Sequence, residues 1–64
     1  MKCNIMGKVL PSEIVLLTEN NGRFTVETVN NYRSISCNNL RDAINQYDSI
    51  VLKETERDRK RGRL

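Results

Sequence analysis

Few side chains in this sequence have the types and spacing that chemistry requires. The 64 residues include no histidine, which removes the commonest general base and the Ser-His and Cys-His nucleophile pairs. Cys3 and Cys37 lack metal-type spacing, and tetrahedral zinc needs more ligands than these thiols offer. Asp42 and Asp48 would lie about 120° apart around a helix, which disfavours a paired-carboxylate site. The three glycines are isolated, so there is no phosphate-binding loop. We therefore expect a protein that is not an enzyme and that binds neither cofactor nor metal.

The cysteines and the apolar runs also bear on the compartment. One Cys3–Cys37 pair in an otherwise ordinary composition is unlike the dense disulfide frameworks of secreted domains, so we predict two thiols in a reducing compartment. Apolar runs fall short of the ~20 residues of a membrane-spanning helix, and residues 1–8 lack an uninterrupted signal-peptide core. These features predict a cytoplasmic protein that does not enter a membrane.

A basic cluster at the C-terminal end is the clearest candidate for binding. Residues 53–64 hold six basic and three acidic side chains, whereas residues 1–52 hold five of each, so the net charge of +3 lies in the last segment. Clustered Lys and Arg can contact a phosphate backbone. The candidate nucleic-acid-binding residues are Arg57, Arg59, Lys60, Arg61 and Arg63. The alternative is a solvated segment that aids solubility, which the interleaved acidic residues and the lack of a nearby aromatic residue favour.

Turn-forming residues and the periodicity of apolar residues predict the strands and the helix that would position these side chains. Asn21-Gly22 between two β-branched runs is typical of a tight hairpin, and Asn30-Asn31 could form a second one. With that second loop, Val26 lies opposite Ile35 and Phe24 opposite Cys37, which gives one apolar and one polar face. The predicted strands cover residues 14–19, 23–29 and 32–37.

The first hairpin and the N-terminal segment leave alternatives open. A two-residue loop places Val15 and Leu17 on the apolar face, whereas a three-residue loop places Ile14 and Leu16 there. Residues 2–10 could form a fourth strand with a kink or bulge at Gly7.

A helix follows the predicted sheet. Asn38-Asn39 offers an N-cap, and Asp42 lies in the first turn, where its charge complements the helix dipole. An apolar stripe spans an arc of about 120°, formed by Leu40, Ala43, Ile44, Tyr47, Ile50 and Val51. Glu54 and Asp58 fall where this stripe would continue. We therefore expect the helix to leave the sheet after Lys53 and to project into solvent.

The predicted fold is α+β. It is a small three- to four-stranded antiparallel meander with one C-terminal helix packed on one face. Residues 1–56 would form a single domain, and residues 57–64 a basic, solvent-exposed helix end or frayed tail. The sheet face opposite the helix would be open and partly apolar, which is typical of an interface. Its candidate partner-binding residues are Arg23, Thr25, Glu27, Val29, Tyr32 and Ser34. Alternatively, the N-terminal segment folds across this face and covers it.

The order of three strands and one helix, with residues 43–48 in the helix, resembles the three-stranded DNA-binding domains of the AP2 and integrase arm-binding kind. The resemblance implies that the open sheet face would enter a DNA major groove, with Arg23, Thr25 and Arg33 near bases or phosphates. Glu27 departs from that pattern, because phosphate would repel it. Arg33 is predicted on the helix-covered face or at its rim.

The function that the sequence favours is that of a small non-catalytic protein-binding regulator or inhibitor. It would act through its open sheet face, a sheet edge or the projecting helix, and its size and composition suit a phage or another mobile element. The partner would be another protein, or a second copy in a homodimer. The alternative is a nucleic-acid-binding module that uses the sheet face and the basic C-terminal tail.

Overall fold

The computed structural model describes residues 2–62 and confirms the α+β fold. The described residues form four strands and one helix: β1 (Lys2–Val9), β2 (Ile14–Asn20), β3 (Arg23–Thr28), β4 (Arg33–Cys37) and α1 (Leu40–Lys60). The strands pair antiparallel in the order β1-β2-β3-β4, and α1 packs against β2, β3 and β4. The sheet therefore has two free edges, β1 and β4.

The β2–β3 hairpin has the two-residue loop of the first alternative. Asn20 pairs with Arg23, and the two loop residues both have positive φ, 53° at Asn21 and 81° at Gly22. Asn and Gly tolerate this backbone better than other residues do. Leu17 consequently pairs with Val26 on the helix-covered face, and the intervening Leu16 points to the opposite, outer face.

The β3–β4 register is confirmed, but its loop is longer than expected. Val26 pairs with Ile35 and Phe24 with Cys37. The strands end at Thr28 and Arg33, which leaves a loop of residues 29–32 instead of two asparagines alone. The sequence prediction therefore extends β3 one residue too far at its C-terminal end and starts β4 one residue too early.

The N-terminal segment forms β1 and pairs with β2, but its bulge lies elsewhere than predicted. The register shifts between Asn4 and Met6, not at Gly7. Gly7 is instead a point of close approach, since a Cβ there would lie 3.0 Å from Leu16 Cδ2. Because β1 extends the sheet at its edge, it does not fold across the outer face.

The core lies between α1 and the helix-covered face of the sheet. Its buried residues are Val15, Leu17, Val26, Ala43 and Tyr47. Ile44, Ile50 and Val51 pack around them half-buried, as the stripe predicts. Leu40, the first residue of the stripe, is exposed instead. Within the described part of the chain, no helix is long and apolar enough to cross a membrane.

The expectation that the helix leaves the sheet after Lys53 is wrong. Glu54 is buried and Asp58 is fully buried. Asp58 Oδ2 accepts a hydrogen bond from the Ser12 backbone N–H at 3.3 Å, at the turn between β1 and β2. The helix thus remains packed at its last turn, where Asp58 Oδ2 accepts this bond and the buried Asp58 Oδ1 has no hydrogen-bond partner among the described residues. The proposed domain boundary after residue 56 falls inside α1.

Replacing Asn39 by alanine is expected to lower the free energy of unfolding by about 1 kcal/mol. The Asn39 side chain accepts a hydrogen bond from the Asp42 backbone N–H at 2.8 Å and so caps α1. Urea unfolding followed by circular dichroism measures the loss. Asn38→Ala, at the exposed neighbouring asparagine, is the matched control and should change the stability little. Equal losses for the two variants would contradict the assignment of the cap.

Candidate functional site

The loop of residues 29–32 is held in place by a buried carboxylate. Glu13, at 0% exposure, lies just before β2. Its Oε1 accepts hydrogen bonds from the backbone N–H of Asn30 at 2.7 Å and of Ile14 at 3.0 Å, and its Oε2 from that of Asn31 at 3.1 Å. Hydrogen bonds to an ionised acceptor are stronger than neutral ones. This carboxylate therefore fixes the backbone of the loop to the start of β2.

Further hydrogen bonds tie both ends of the same loop. Asn30 Nδ2 donates to the Ser12 carbonyl at 2.8 Å, and the Val29 N–H donates to the Ile14 carbonyl at 3.0 Å. At the other end, the Arg33 N–H donates to Thr28 Oγ1 at 3.1 Å. Three of the four loop residues, Val29, Asn30 and Asn31, are thus anchored to β2 or to the β1–β2 turn.

Tyr32 lies in this loop, and its side chain is almost entirely exposed to solvent. Its exposed fraction is 91%, and its φ is +53°, a backbone region that costs a tyrosine about 1 kcal/mol or more. Val29 is exposed beside it in the loop. Strain of this kind in a rigid loop that presents an aromatic side chain is typical of functional positions. Stability alone does not account for Tyr32 here.

Replacing Tyr32 by glycine is expected to leave the fold at least as stable, with a gain of up to about 1 kcal/mol, because glycine adopts positive φ without strain. Val29→Gly is the matched control: Val29 lies in the same loop without positive φ, and its replacement should destabilise the fold. Urea unfolding of both variants measures the difference. A Tyr32→Gly variant clearly less stable than the natural chain would show that the tyrosine serves the fold.

The outer face of the sheet is less open than the sequence suggested. Lys2 Nζ on β1 lies 3.4 Å from Glu27 Oε1 on β3, so the ion pair spans β2. The pairing register places Thr18 beneath it, and Thr18 is only 2% exposed. Its hydroxyl donates to the Thr25 carbonyl at 3.5 Å. The centre of this face is therefore covered by its own side chains, and Leu16, which pairs with Glu27, lies half-buried in it.

The predicted partner-binding residues consequently lie in two places. Thr25 and Glu27 are half-buried in the covered centre, Ser34 pairs with Glu27, and Arg23 is exposed at the far end of β3. Val29 and Tyr32 lie together in the rigid loop, at the opposite end of β3 from Arg23.

A continuous groove runs along the β4 edge and the neighbouring side of α1. Its deepest part is a cavity of about 170 Å³ lined in part by Thr28, Ile35, Ser49 and Ile50. Toward the start of α1 the groove continues past Cys37 and Asp42, and toward the end of α1 past Asn31, Arg33, Lys53 and Arg57. Adjacent stretches of the groove share lining residues. Asn31 and Arg33, the chain neighbours of Tyr32, are among these residues.

One end of the groove is basic. Arg33 from β4 faces Lys53 and Arg57 from α1, and the same side of the helix continues to Lys60 and Arg61. Two carboxylates accompany them: buried Glu54, whose Oε1 lies 3.8 Å from Arg57 Nη1, and exposed Glu56.

The predicted nucleic-acid-binding residues are only partly brought together. Arg57, Lys60 and Arg61 line the basic groove, whereas Arg59 is exposed but does not line it, and Arg63 lies outside the described residues. Sequence reasoning missed Lys53 as a member. It also missed that Asn31 and Arg33, the chain neighbours of the aromatic Tyr32, line the same groove.

The remaining reactive groups are dispersed. Both cysteines are free, with Cys3 exposed and Cys37 half-buried against the core. Burial, reinforced by the charge of Asp48, raises the pKa of Tyr47 above its ordinary value of 10.0, so this phenol is protonated near neutral pH. In residues 2–62, no group of three or more Cys, Asp or Glu is placed to hold a metal ion.

No protein-family model matches the chain, and no curated protein or solved structure matches it either.

Proposed function

We propose that this chain is a small, non-catalytic, cytoplasmic binding protein that regulates or inhibits another protein through the loop of residues 29–32. The observation that carries the proposal is the combination at Tyr32 of near-complete exposure, positive φ and a backbone anchored by Glu13.

The energetics of binding support a role for this loop. A side chain on a rigid backbone loses little conformational entropy when a partner covers it. Tyrosine is among the residues that most often dominate the binding energy of protein interfaces. Val29 next to it adds apolar surface that a protein partner would bury. The carboxylate of Glu13 thus keeps the contact residues preorganised.

Affinity capture from the source cell, with mass spectrometry, tests the proposal. The natural chain should retain a partner protein after nuclease treatment, and Tyr32→Ala should reduce its recovery about tenfold or more. Leu52→Ala is the control, since Leu52 is 62% exposed on α1 away from the loop. A partner recovered equally with Tyr32→Ala would contradict a role for the loop.

Nucleic-acid binding is the second candidate, and the basic groove beside Tyr32 favours it. An aromatic side chain next to a row of cations is the arrangement that single-stranded nucleic acids use for stacking and phosphate contacts. In this case oligothymidylate should bind, with an affinity that falls steeply with salt. A triple Gln variant of Arg57, Lys60 and Arg61 should flatten that salt dependence. If oligothymidylate does not bind, or if its affinity does not change with salt, nucleic-acid binding is excluded.

A further inference from the structure

We infer that the groove between β4 and α1 binds an extended acidic segment of the partner protein, which lies along the free edge of β4. The inference rests on the proposed function and specifies the partner, because Asn31 and Arg33, the chain neighbours of Tyr32, line the groove. A partner that covers Tyr32 is therefore close enough to reach the groove.

The edge of β4 offers the backbone groups that such a segment needs. β4 is the last strand of the sheet, so one of its sides has no neighbouring strand among the described residues. The Arg33 N–H points toward β3, where it donates to Thr28 Oγ1. Because backbone groups alternate along a strand, those of Ser34 and Ser36 point outward. An added strand can pair with them, as in other proteins that bind peptides by extending a sheet.

The cavity beside this edge provides a place for a side chain. Ile35 and Ile50 supply apolar lining, and Thr28 and Ser49 supply polar groups. Its volume of about 170 Å³ is of the order of one large apolar side chain. Alternate side chains of an extended segment point the same way, so one of them can enter the cavity while its neighbours lie outside.

The charge of the groove determines which end of the segment is acidic. Arg33, Lys53 and Arg57 line the end next to Tyr32, whereas Asp42 lies at the other end, near the start of α1. Like charges brought together at an interface are costly, and opposite charges speed association. Carboxylates of the segment should therefore lie against the three cations.

One observation favours a polypeptide over a nucleic acid in this groove. Ile35 and Ile50 line its most enclosed part, where a phosphate or ribose would gain little. A peptide can place an apolar and an acidic side chain two residues apart, on the same side of the extended chain, and so satisfy both stretches.

Nuclear magnetic resonance titration of the isotope-labelled full chain tests the inference. The probe, the Glu–Val peptide, repeats Glu-Ser-Val-Ser so that Glu and Val share one side of the extended chain. It is compared with a Lys–Val peptide that carries Lys in place of Glu, and with oligothymidylate of the same length. We expect the Glu–Val peptide to shift the amide signals of Ser34 and Ser36 and the side-chain signal of Arg33. The Lys–Val peptide should leave these signals unchanged. Unchanged amide signals at Ser34 and Ser36, or tighter binding of oligothymidylate, would overturn the inference.

Paired charge-neutralising variants provide the control. Lys53→Gln with Arg57→Gln should weaken binding of the Glu–Val peptide about tenfold. Arg41→Gln with Arg59→Gln removes the same charge from the side of α1 that does not line the groove, and should weaken it far less. An equal loss of peptide affinity for both pairs of variants would mean that net charge alone causes the effect. That result would overturn the proposed site.

The same variants separate this inference from the proposed function. A captured partner that is lost with Tyr32→Ala but retained by the Lys53 and Arg57 double variant supports the loop and refutes the groove. A partner indifferent to Tyr32→Ala refutes the proposed function itself. Loss with both variants supports the two together.

Discussion

Replacing Glu13 by alanine is expected to lower the free energy of unfolding by about 3 kcal/mol. The carboxylate is fully buried and satisfies the backbone N–H groups of Ile14, Asn30 and Asn31. Its removal leaves these donors without their acceptor and releases the loop that presents Tyr32. Urea unfolding measures the loss of stability, and amide hydrogen exchange at Asn30 and Asn31 should become faster.

Two further variants show whether acceptor geometry is the cause. Glu13→Gln keeps the shape but turns one oxygen into a donor, so it should also be destabilising, by less than the alanine variant. Glu19→Ala removes a carboxylate that accepts only a long, exposed hydrogen bond of 3.4 Å from Gly22, and should cost little. A Glu13→Ala chain as stable as Glu19→Ala would refute the anchoring role.

Replacing Leu17 by alanine is expected to cost about 3 kcal/mol, within the usual range for a buried leucine. Leu17 is fully buried in the core between Val26 and α1. A single core in a chain of this size rarely supplies more than about 3–5 kcal/mol. The variant should therefore be largely unfolded at room temperature, which circular dichroism detects directly.

Leu52→Ala is the matched control for the core substitution. It removes the same atoms from a leucine that is 62% exposed on α1, and should change the free energy of unfolding by about 0.5 kcal/mol or less. Similar losses at the two positions would mean that Leu17 does not lie in the core.

The sheet register was predictable because turn chemistry and apolar alternation agree. Asn21-Gly22 fixes the first hairpin, and the opposition of Phe24 to Cys37 and of Val26 to Ile35 leaves one apolar face for α1. The two-residue and three-residue alternatives could not be separated by sequence, because residues 14–17 are apolar at every position. The pairing of Asn20 with Arg23 and the positive φ of Asn21 distinguish them.

The burial of Glu13 and Asp58 could not be predicted from local patterns. The hydrogen bonds that accompany this burial come from distant parts of the chain: from Asn30 and Asn31 to Glu13, and from Ser12 to one oxygen of Asp58. The helical stripe suggested that charge at positions 54 and 58 ends the packing. Contacts across the fold outweigh that local preference.

The sequence predicts several residues of the candidate site, but it does not predict how they are arranged in space. Val29 and Tyr32 were recognised as exposed, and Arg57 as part of a basic cluster. Their proximity depends on Arg33 and Lys53, which meet only when α1 crosses β4. A linear sequence carries no signal for that meeting, because the two residues belong to different elements.

The strand order has a consequence for the time course of folding. Each strand pairs with its neighbour in the chain, so any of the three hairpins can nucleate the sheet after closing only a short loop. The hydrogen bond from Ser12 to Asp58 instead joins positions 46 residues apart. Docking of the last helical turn onto the β1–β2 turn should therefore be among the latest events of assembly, after the meander already exists.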